Sequence, residues 1–317
     1  MTQTARDLHL PAGSTGEDPW QVHIDPARAG WTYCGLQVVE LGPGQRLDLD
    51  TDWTDAGATE RLVVPLGGGC TVVAGDDSIT LRGRESVFTG ITDTAYVPAG
   101  RTVRLSSVDG GRFAVASART DGGSDAAAPV VAEPAVAHLA AADVPVELRG
   151  AGQASRQVNN IGTPAALAAE RLIVCEVLTP AGNWSSWPPH KHDEDRPGES
   201  VLEEIYYFEV APGPDGPGVA YQRVYGHAGA DVDVLAEVRT GDVVLVPQGW
   251  HGPSMAAPGY HLYYLNVMAG PGERAWNICD DPAHAWVRNV WEGQLVDERL
   301  PLASAAPADS SAKGERA

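Results

Sequence analysis

The chain has 317 residues, with 42 acidic against 22 basic side chains and a formal net charge of −20 at pH 7. This length suits two domains or one large β-rich domain, and the acidity argues against a nucleic-acid partner, because phosphate backbones bind basic surfaces. No apolar run could span a bilayer, so we expect no membrane partner. Residues 1–30 lack a signal peptide's apolar segment, and the four cysteines form no Cys-x-x-Cys pair. We therefore expect a cytoplasmic location with free thiols.

The first part of the chain predicts short β-strands separated by Gly, Pro and Asp turns. Strand patterns occur at 30–41, 62–64, 71–74, 95–98, 102–106 and 112–116. Short strands at this close spacing are typical of an all-β sandwich or barrel. Residues 120–134 are rich in Gly, Ser, Ala, Asp and Pro and have little to bury. We therefore predict a first domain over residues 1–119 and a linker over 120–150.

From residue 157 the strand pattern repeats. A Val-Pro-x-Gly turn at 246–249 parallels the one at 97–100, and Glu204 before an apolar strand parallels Glu60. Tandem copies of one barrel explain this, which predicts a second domain over 151–303 and a disordered tail over 304–317. The first copy has Leu-Asp-Leu-Asp at 47–50 where the second has paired histidines. We therefore expect the second copy to carry the chemistry.

The second copy contains a pattern of potential metal ligands. Alternate side chains of a strand share a face, so His190 and His192 point one way and Lys191 points away. A carboxylate at the start of the next strand and His251 after a Pro-x-Gly turn would complete three nitrogen ligands and one oxygen ligand, a set that suits a divalent first-row metal. Glu203 and Glu204 point to opposite faces of one strand, so only one of them can be the oxygen ligand.

The order His-x-His, Glu before an aromatic strand, then Gly-x5-Pro-x-Gly-x-His resembles the two metal-binding motifs of the cupin superfamily. This resemblance implies an all-β bicupin, with two tandem jelly-roll-like barrels and the metal site in the second. It places the ligand carboxylate directly before the strand, which selects Glu204 over Glu203. The segments PPHKHDED at 188–195, EEIYY at 203–207, QRVY at 222–225 and VPQGWHGP at 246–253 look like the 5-deoxy-glucuronate isomerases of bacterial inositol catabolism.

The resemblance implies an aldose–ketose isomerase whose substrate is a small anionic sugar acid, 5-deoxy-glucuronate, and whose product is 5-dehydro-2-deoxy-gluconate. It implies a divalent metal, most simply zinc, with manganese or iron also acceptable, and no organic cofactor. The alternatives are a 4-deoxy-uronate isomerase of pectin breakdown, a cupin dioxygenase that uses iron and oxygen, and a non-catalytic sugar-binding or storage bicupin. A homo-oligomer is expected because sheet edges must be covered.

Several residues are candidates for roles around the metal. For the base that moves a proton we consider Glu204, Tyr225 and Tyr263. For the substrate carboxylate we expect a guanidinium, with Arg223 first and Arg156 second, and Lys191 is a further candidate substrate-binding residue. The charged insert at 193–203 is longer than cupin motifs usually have, and it is either a lid or an exposed excursion.

Overall fold

The computed structural model describes residues 3–49, 59–120 and 135–305, and these ranges are nearly all β-structure. Residues 121–134 of the predicted linker and 306–317 of the predicted disordered tail lie outside the described residues, as does Asp50 of the Leu-Asp-Leu-Asp segment. In the described ranges no helix has the length and apolar character needed to cross a membrane.

In the described residues, the N-terminal segment and the first half contain two short α-helices and eleven strands: β1 (Gln3–Thr4), α1 (Ala5–Leu8), β2 (His9–Leu10), β3 (Trp20–Ile24), α2 (Pro26–Ala29), β4 (Cys34–Leu41), β5 (Arg46–Asp48), β6 (Thr59–Ala74), β7 (Asp77–Arg84), β8 (Thr94–Val97), β9 (Val103–Ser106), β10 (Gly111–Arg119) and β11 (Ala137–Leu139). The second half contains twelve strands and one short α-helix: β12 (Val146–Arg149), β13 (Arg156–Asn159), β14 (Ile173–Thr179), β15 (Trp184–Ser185), β16 (His190–Lys191), β17 (Glu203–Val210), β18 (Ala220–His227), β19 (Ala230–Val238), β20 (Val243–Val246), β21 (Trp250–Ala256), β22 (Leu262–Ala269), β23 (Cys279–Asp280) and α3 (Val287–Val290). Two 3₁₀ helices, Ala141–Asp143 and Gly152–Ala154, flank β12.

The first half is built on one nine-stranded sheet with the order β11-β8-β6-β10-β4-β3, to which β5, β7 and β9 are attached. Its central strands β4, β6, β8 and β10 are largely buried on both faces. One face, with Val39, Val63 and Phe113, closes on itself to form the core of this half. The other face, with Leu36 and Leu62, packs into a large core that also includes apolar side chains of the second half. Because both faces are buried, these strands are nearly continuous runs of apolar residues.

The second half consists of two seven-stranded sheets that enclose an interior. One has the order β12-β13-β14-β22-β17-β20-β2, and the other has the order β1-β19-β18-β21-β16-β23 with β15 paired to β21. Along β17 the side chains of Glu204, Tyr206 and Phe208 point inward, where the Tyr206 ring lies 5.1 Å from that of Tyr264. The side chains between them on β17 point toward the first half. Among these, Tyr207 bonds Glu209, and Glu209 pairs with Arg112 of the first half.

The boundary between the halves differs from the predicted one at the N-terminus. Strand β1 pairs in parallel with β19, and β2 pairs antiparallel with β20, so residues 3–10 complete the sheets of the second half rather than the first. Within the predicted linker, β11 pairs with β8 of the first half and β12 pairs with β13 of the second. The N-terminal segment thereby covers strand edges of both sheets that would otherwise be open.

Two carboxylates fix the junction between the halves in a reciprocal way. Glu60 of the first half accepts hydrogen bonds from three consecutive backbone N–H groups that precede β14, those of Glu170 (2.8 Å), Arg171 (2.7 Å) and Leu172 (2.6 Å). Glu203 of the second half accepts three from the chain entering β4, those of Thr32 (2.7 Å), Tyr33 (2.8 Å) and Cys34 (2.8 Å). Each half therefore holds the chain that enters the other.

These contacts correct the predicted alignment of the two copies by one residue. In the strand register Glu204 is opposite Val246, and the equivalent valine of the first half, Val97, is opposite Arg61. Glu60 therefore corresponds to Glu203, and Arg61 occupies the position of Glu204. The first half has a cation where the second has a candidate ligand, and neither cluster of metal-ligating side chains in the described ranges includes a residue of the first half.

Candidate functional site

The histidines come together because the strands that carry them are neighbours. Strand β16 pairs with β21 so that His190 is directly opposite His251, and their ring centres lie 4.4 Å apart. The ring of His192 lies 4.7 Å from that of His251. All three side chains are buried, at the inner surface of the second half.

Glu204 supplies the carboxylate of this cluster. Its Oε2 lies 3.0 Å from Nε2 of His192 and 3.0 Å from Nε2 of His251, and His192, Glu204 and His251 each place a ligand atom within 4.8 Å of the others. Although burial raises the pKa of Glu204, His251 and His192 lower it overall, so the side chain is a carboxylate at neutral pH. Glu203 points to the opposite face and bonds backbone N–H groups, so it is not part of the cluster.

The other ring nitrogen of each histidine faces a backbone carbonyl. Nδ1 lies 3.4 Å from Pro188 O in His190, 3.1 Å from Leu202 O in His192 and 3.2 Å from Gly249 O in His251. Such contacts favour a proton on Nδ1, so that Nε2 can bind a metal ion once that ion displaces the proton between the imidazoles and Glu204. Nε2 of His251 is buried and makes no hydrogen bond of acceptable geometry to the described residues. A buried nitrogen lone pair beside a carboxylate is the arrangement expected of a metal-binding site, so these residues fit a divalent ion.

Two tyrosines that the sequence analysis did not select line the interior next to the histidines. The ring of Tyr206 lies 6.2 Å from that of His251. Ser186 Oγ lies 3.2 Å from the hydroxyl of Tyr206 and 3.1 Å from that of Tyr264. Ser186 is the one non-glycine residue of the described ranges with a positive φ, +48°, a strained conformation that is common at functional sites. Period-two alternation from Glu204 would have placed Tyr206 on the same face.

Residues 8–287 match the family described as KduI/IolB. The chain belongs to this family. A protein named 5-deoxy-glucuronate isomerase from Geobacillus kaustophilus strain HTA426 is 40% identical over 282 residues, which cover 88% of this chain and 95% of that protein. The crystal structure of an IolB-like protein from Salmonella typhimurium LT2 is 34% identical with a TM-score of 0.75, and the match covers 88% of this chain and 98% of that one.

A more distant structure supports the architecture of this KduI/IolB family member. The Lactobacillus farciminis oxalate decarboxylase formate complex has a TM-score of 0.59 at 13% identity, and the match covers 86% of this chain and 88% of that one. At this identity the likeness concerns the fold alone. It confirms the predicted all-β bicupin.

The two tyrosines that the sequence analysis proposed as bases lie elsewhere in this KduI/IolB chain. Tyr263 is on the outer face of β22, where its hydroxyl donates to Glu176 (2.8 Å) at the junction with the first half. The hydroxyl of Tyr225 donates to Asp281, and its ring stacks on Arg223. Neither hydroxyl faces the interior, because each residue is one position out of phase with the inward-facing side chains of its strand.

Two of the three predicted substrate-binding cations are occupied by contacts of their own. Arg223 pairs with Asp233 and donates to the carbonyls of Val224 (3.0 Å) and Val234 (2.8 Å) on the outer face of β18. Lys191 Nζ lies 2.7 Å from Asp193 and 2.7 Å from Glu199, so it anchors the 193–203 insert rather than facing the histidines. Asp193 in turn accepts from Gly249 N (2.7 Å), which ties the insert to the turn before His251. The third cation, Arg156, is buried on β13.

Proposed function

We propose that this chain is a metal-dependent aldose–ketose isomerase that converts 5-deoxy-glucuronate to 5-dehydro-2-deoxy-gluconate in myo-inositol catabolism. The observation that carries the proposal is the buried donor set of His192, Glu204 and His251, with His190 beside it. The names of the relatives, which the chain matches over most of its length, supply the substrate.

His190, His192, Glu204 and His251 would hold the divalent ion. When bound, such an ion is a Lewis acid toward the oxygens on two neighbouring sugar carbons, and zinc, manganese and iron all accept this mixture of nitrogen and oxygen ligands. An aldose–ketose exchange leaves the net oxidation state of the sugar unchanged, so redox-inert zinc suffices and no organic cofactor is needed.

Tyr206 and Tyr264 would orient the substrate by donating hydrogen bonds. Burial, with the charge of Glu204, raises the pKa of Tyr206 well above its ordinary value of 10, and burial raises the pKa of Tyr264 as well. Both hydroxyls are therefore protonated at neutral pH and can donate to a substrate oxygen on which negative charge develops. Ser186, bonded to both hydroxyls, holds them in place.

Glu204 is our candidate for carrying the proton between the two carbons. Its Oε2 faces two imidazoles, whereas Oε1 makes no hydrogen bond to the described residues. The reaction balances within the sugar: the carbon-bound proton leaves C2 and returns at C1, and the hydroxyl proton on O2 moves to O1.

The test is anaerobic incubation of the metal-loaded protein with 5-deoxy-glucuronate in deuterated water, followed by NMR, before and after chelation. We expect ketose with deuterium at C1, and no conversion after chelation or in the His251→Ala variant. No conversion by protein with confirmed metal would refute the proposal, and 4-deoxy-uronate would then be tried first and oxygen uptake second. Conversion without deuterium would refute the proton-carrying role of Glu204 and indicate a hydride shift.

A further inference from the structure

Arg156 is a buried cation without a carboxylate partner. Its side chain is on β13, the residue is 9% exposed, and its guanidinium lies within electrostatic range of Tyr264 and Tyr206 in the interior. Nη1 donates to the carbonyls of Ala154 (3.1 Å) and Trp187 (3.4 Å). Among the described residues Nε and Nη2 have no hydrogen-bond acceptor.

Another buried arginine shows what a structural guanidinium looks like in this fold. Arg274 also lacks a carboxylate, but its Nε, Nη1 and Nη2 donate to the carbonyls of Leu172 (2.7 Å), Leu167 (2.7 Å) and Gly162 (2.6 Å). All three guanidinium nitrogens of Arg274 therefore have a hydrogen-bond acceptor. Arg156 keeps two donor edges free, which is the arrangement that binds a carboxylate in a bidentate fork.

The charge around Arg156 is positive. Arg149 is its cross-strand neighbour, and Arg288 is also in electrostatic range. Arg149 pairs with Glu147 (2.7 Å) and Arg288 with Asp280 (2.7 Å), whereas no such partner among the described residues neutralises Arg156. Burial lowers the pKa of Arg156 to about 10, so the guanidinium remains charged at neutral pH. Its contacts are two backbone carbonyls and the Trp291 ring, 6.0 Å from the guanidinium, and a buried charge without an anionic partner is costly unless a ligand supplies one.

Contacts connect this position to the histidines. The guanidinium of Arg149 lies 4.7 Å from the centre of the Trp276 ring, and that ring lies 6.2 Å from the ring of His190. Trp276 Nε1 is buried and has no hydrogen-bond acceptor among the described residues, and the same is true of Asn266 Nδ2 on the inward face of β22. Trp276 beside His190 and Asn266 on the inward face of β22 thus both present donors that lack acceptors among the described residues, which matches a ligand rich in oxygen.

We propose that Arg156 binds the carboxylate of the sugar acid, with Arg149 beside it, while the carbonyl end of the open chain lies at the histidines. This inference rests on the proposed function and names the residue that selects a uronate over a neutral sugar. It replaces Arg223, whose guanidinium is held on the outer face. The free Nε and Nη2 edges give the carboxylate two parallel hydrogen bonds that no neutral end group can accept equally.

The experiment compares Arg156→Gln and Arg156→Lys with the matched control Arg223→Gln. Binding of 5-deoxy-glucuronate to the chelated, metal-free proteins is measured by calorimetry, so that recognition is read without turnover. We expect Arg156→Gln to weaken binding by about tenfold to a hundredfold, Arg156→Lys to weaken it less because charge remains without the fork, and Arg223→Gln to bind like wild type.

Specificity is measured on the metal-loaded proteins with 5-deoxy-glucose, which has a CH₂OH in place of the carboxylate. The preference of wild type for the acid should collapse in Arg156→Gln, through KM more than kcat, with metal content unchanged. Arg156→Gln should also unfold no more easily than wild type, since it removes an unpaired buried charge. An unchanged preference, or an equal loss for both sugars, overturns the proposal. Wild type that converts neither sugar overturns the proposed function instead, and the binding comparison still decides the role of Arg156.

Discussion

Replacing Glu203 by glutamine should affect stability, whereas replacing its neighbour Glu204 by glutamine should affect metal binding. Glu203 lies at the junction of the halves and Glu204 in the donor cluster, although their Cα atoms are consecutive. We predict that Glu203→Gln lowers stability and keeps the metal, and that Glu204→Gln loses the metal and keeps the stability of the metal-free protein.

The expected magnitude follows from the hydrogen bonds of Glu203. Its carboxylate accepts three backbone N–H groups at 2.7, 2.8 and 2.8 Å, and a glutamine would offer one acceptor oxygen and turn an NH₂ group toward the remaining donors. Bonds to a charged acceptor contribute about 1.5–3 kcal/mol each, and the Thr32 amide is partly solvated, so we expect a loss of about 2–4 kcal/mol. That is a large fraction of a typical unfolding free energy of about 5–15 kcal/mol.

The assay is urea unfolding of both variants and wild type in the presence of chelator, with bound metal measured separately on protein purified without chelator. Glu204→Gln should unfold within about 1 kcal/mol of wild type in chelator, because the amide keeps the shape of the carboxylate. If Glu203→Gln lost the metal while Glu204→Gln kept it, the assignment of the two faces of β17 would be wrong.

Three further predictions concern other parts of the molecule. Arg84→Met should destabilise the protein by about 3–5 kcal/mol in urea unfolding, because it leaves Glu176 buried without its cation at the junction. The double variant Arg84→Met with Glu176→Gln should recover part of this loss of stability. No recovery would contradict a charge effect. A thiol reagent should label Cys279 quickly in the native protein, and Cys279→Ser should remove that signal, because Cys34, Cys70 and Cys175 are buried and burial raises the pKa of all three thiols. Rapid labelling of a second thiol would show that at least one of these three is accessible. Hydrogen bonds from Arg299 lower the pKa of Asp297 below its ordinary value of 3.8. The ionised Asp297 therefore stabilises the fold fully above pH 3.8, and this stabilisation is lost as the pH falls. The difference in unfolding free energy between wild type and Asp297→Asn should shrink in acid, and a constant difference would argue against the ion pair.

The sequence predicted those features that depend on residue type and short spacing. Alternation along a strand placed Lys191 away from the histidines, and the structure finds it bonded to Asp193 and Glu199 on the other side. The His-x-His and Pro-x-Gly-x-His patterns named His192 and His251, which the structure brings together with Glu204. Short strands with Gly and Pro turns correctly predicted an all-β fold.

The predictions that differ from the structure are mostly errors of one residue. Tyr263 was proposed where Tyr264 faces the interior, and Glu60 was aligned with Glu204 where the register aligns it with Glu203. A one-residue shift moves a side chain to the other face of a sheet, and runs that are apolar on both faces contain no alternation that would fix the phase. The register of β18 against β21 also shifts between Gln222 and Val224, a local irregularity that strand alternation alone does not predict. The pairing of residues 3–10 with the second half depends on contacts across more than 220 residues, which local patterns do not encode.

The reciprocal hydrogen bonds of Glu60 and Glu203 have a consequence for whether either half could exist alone. A half that contributes no side chain to the candidate metal site would ordinarily be dispensable for that site. Here Glu60 of the first half supplies the carboxylate that fixes the chain entering β14, and residues 3–10 pair with strands of the second half. We therefore expect that removing the first half would destabilise the second half as well.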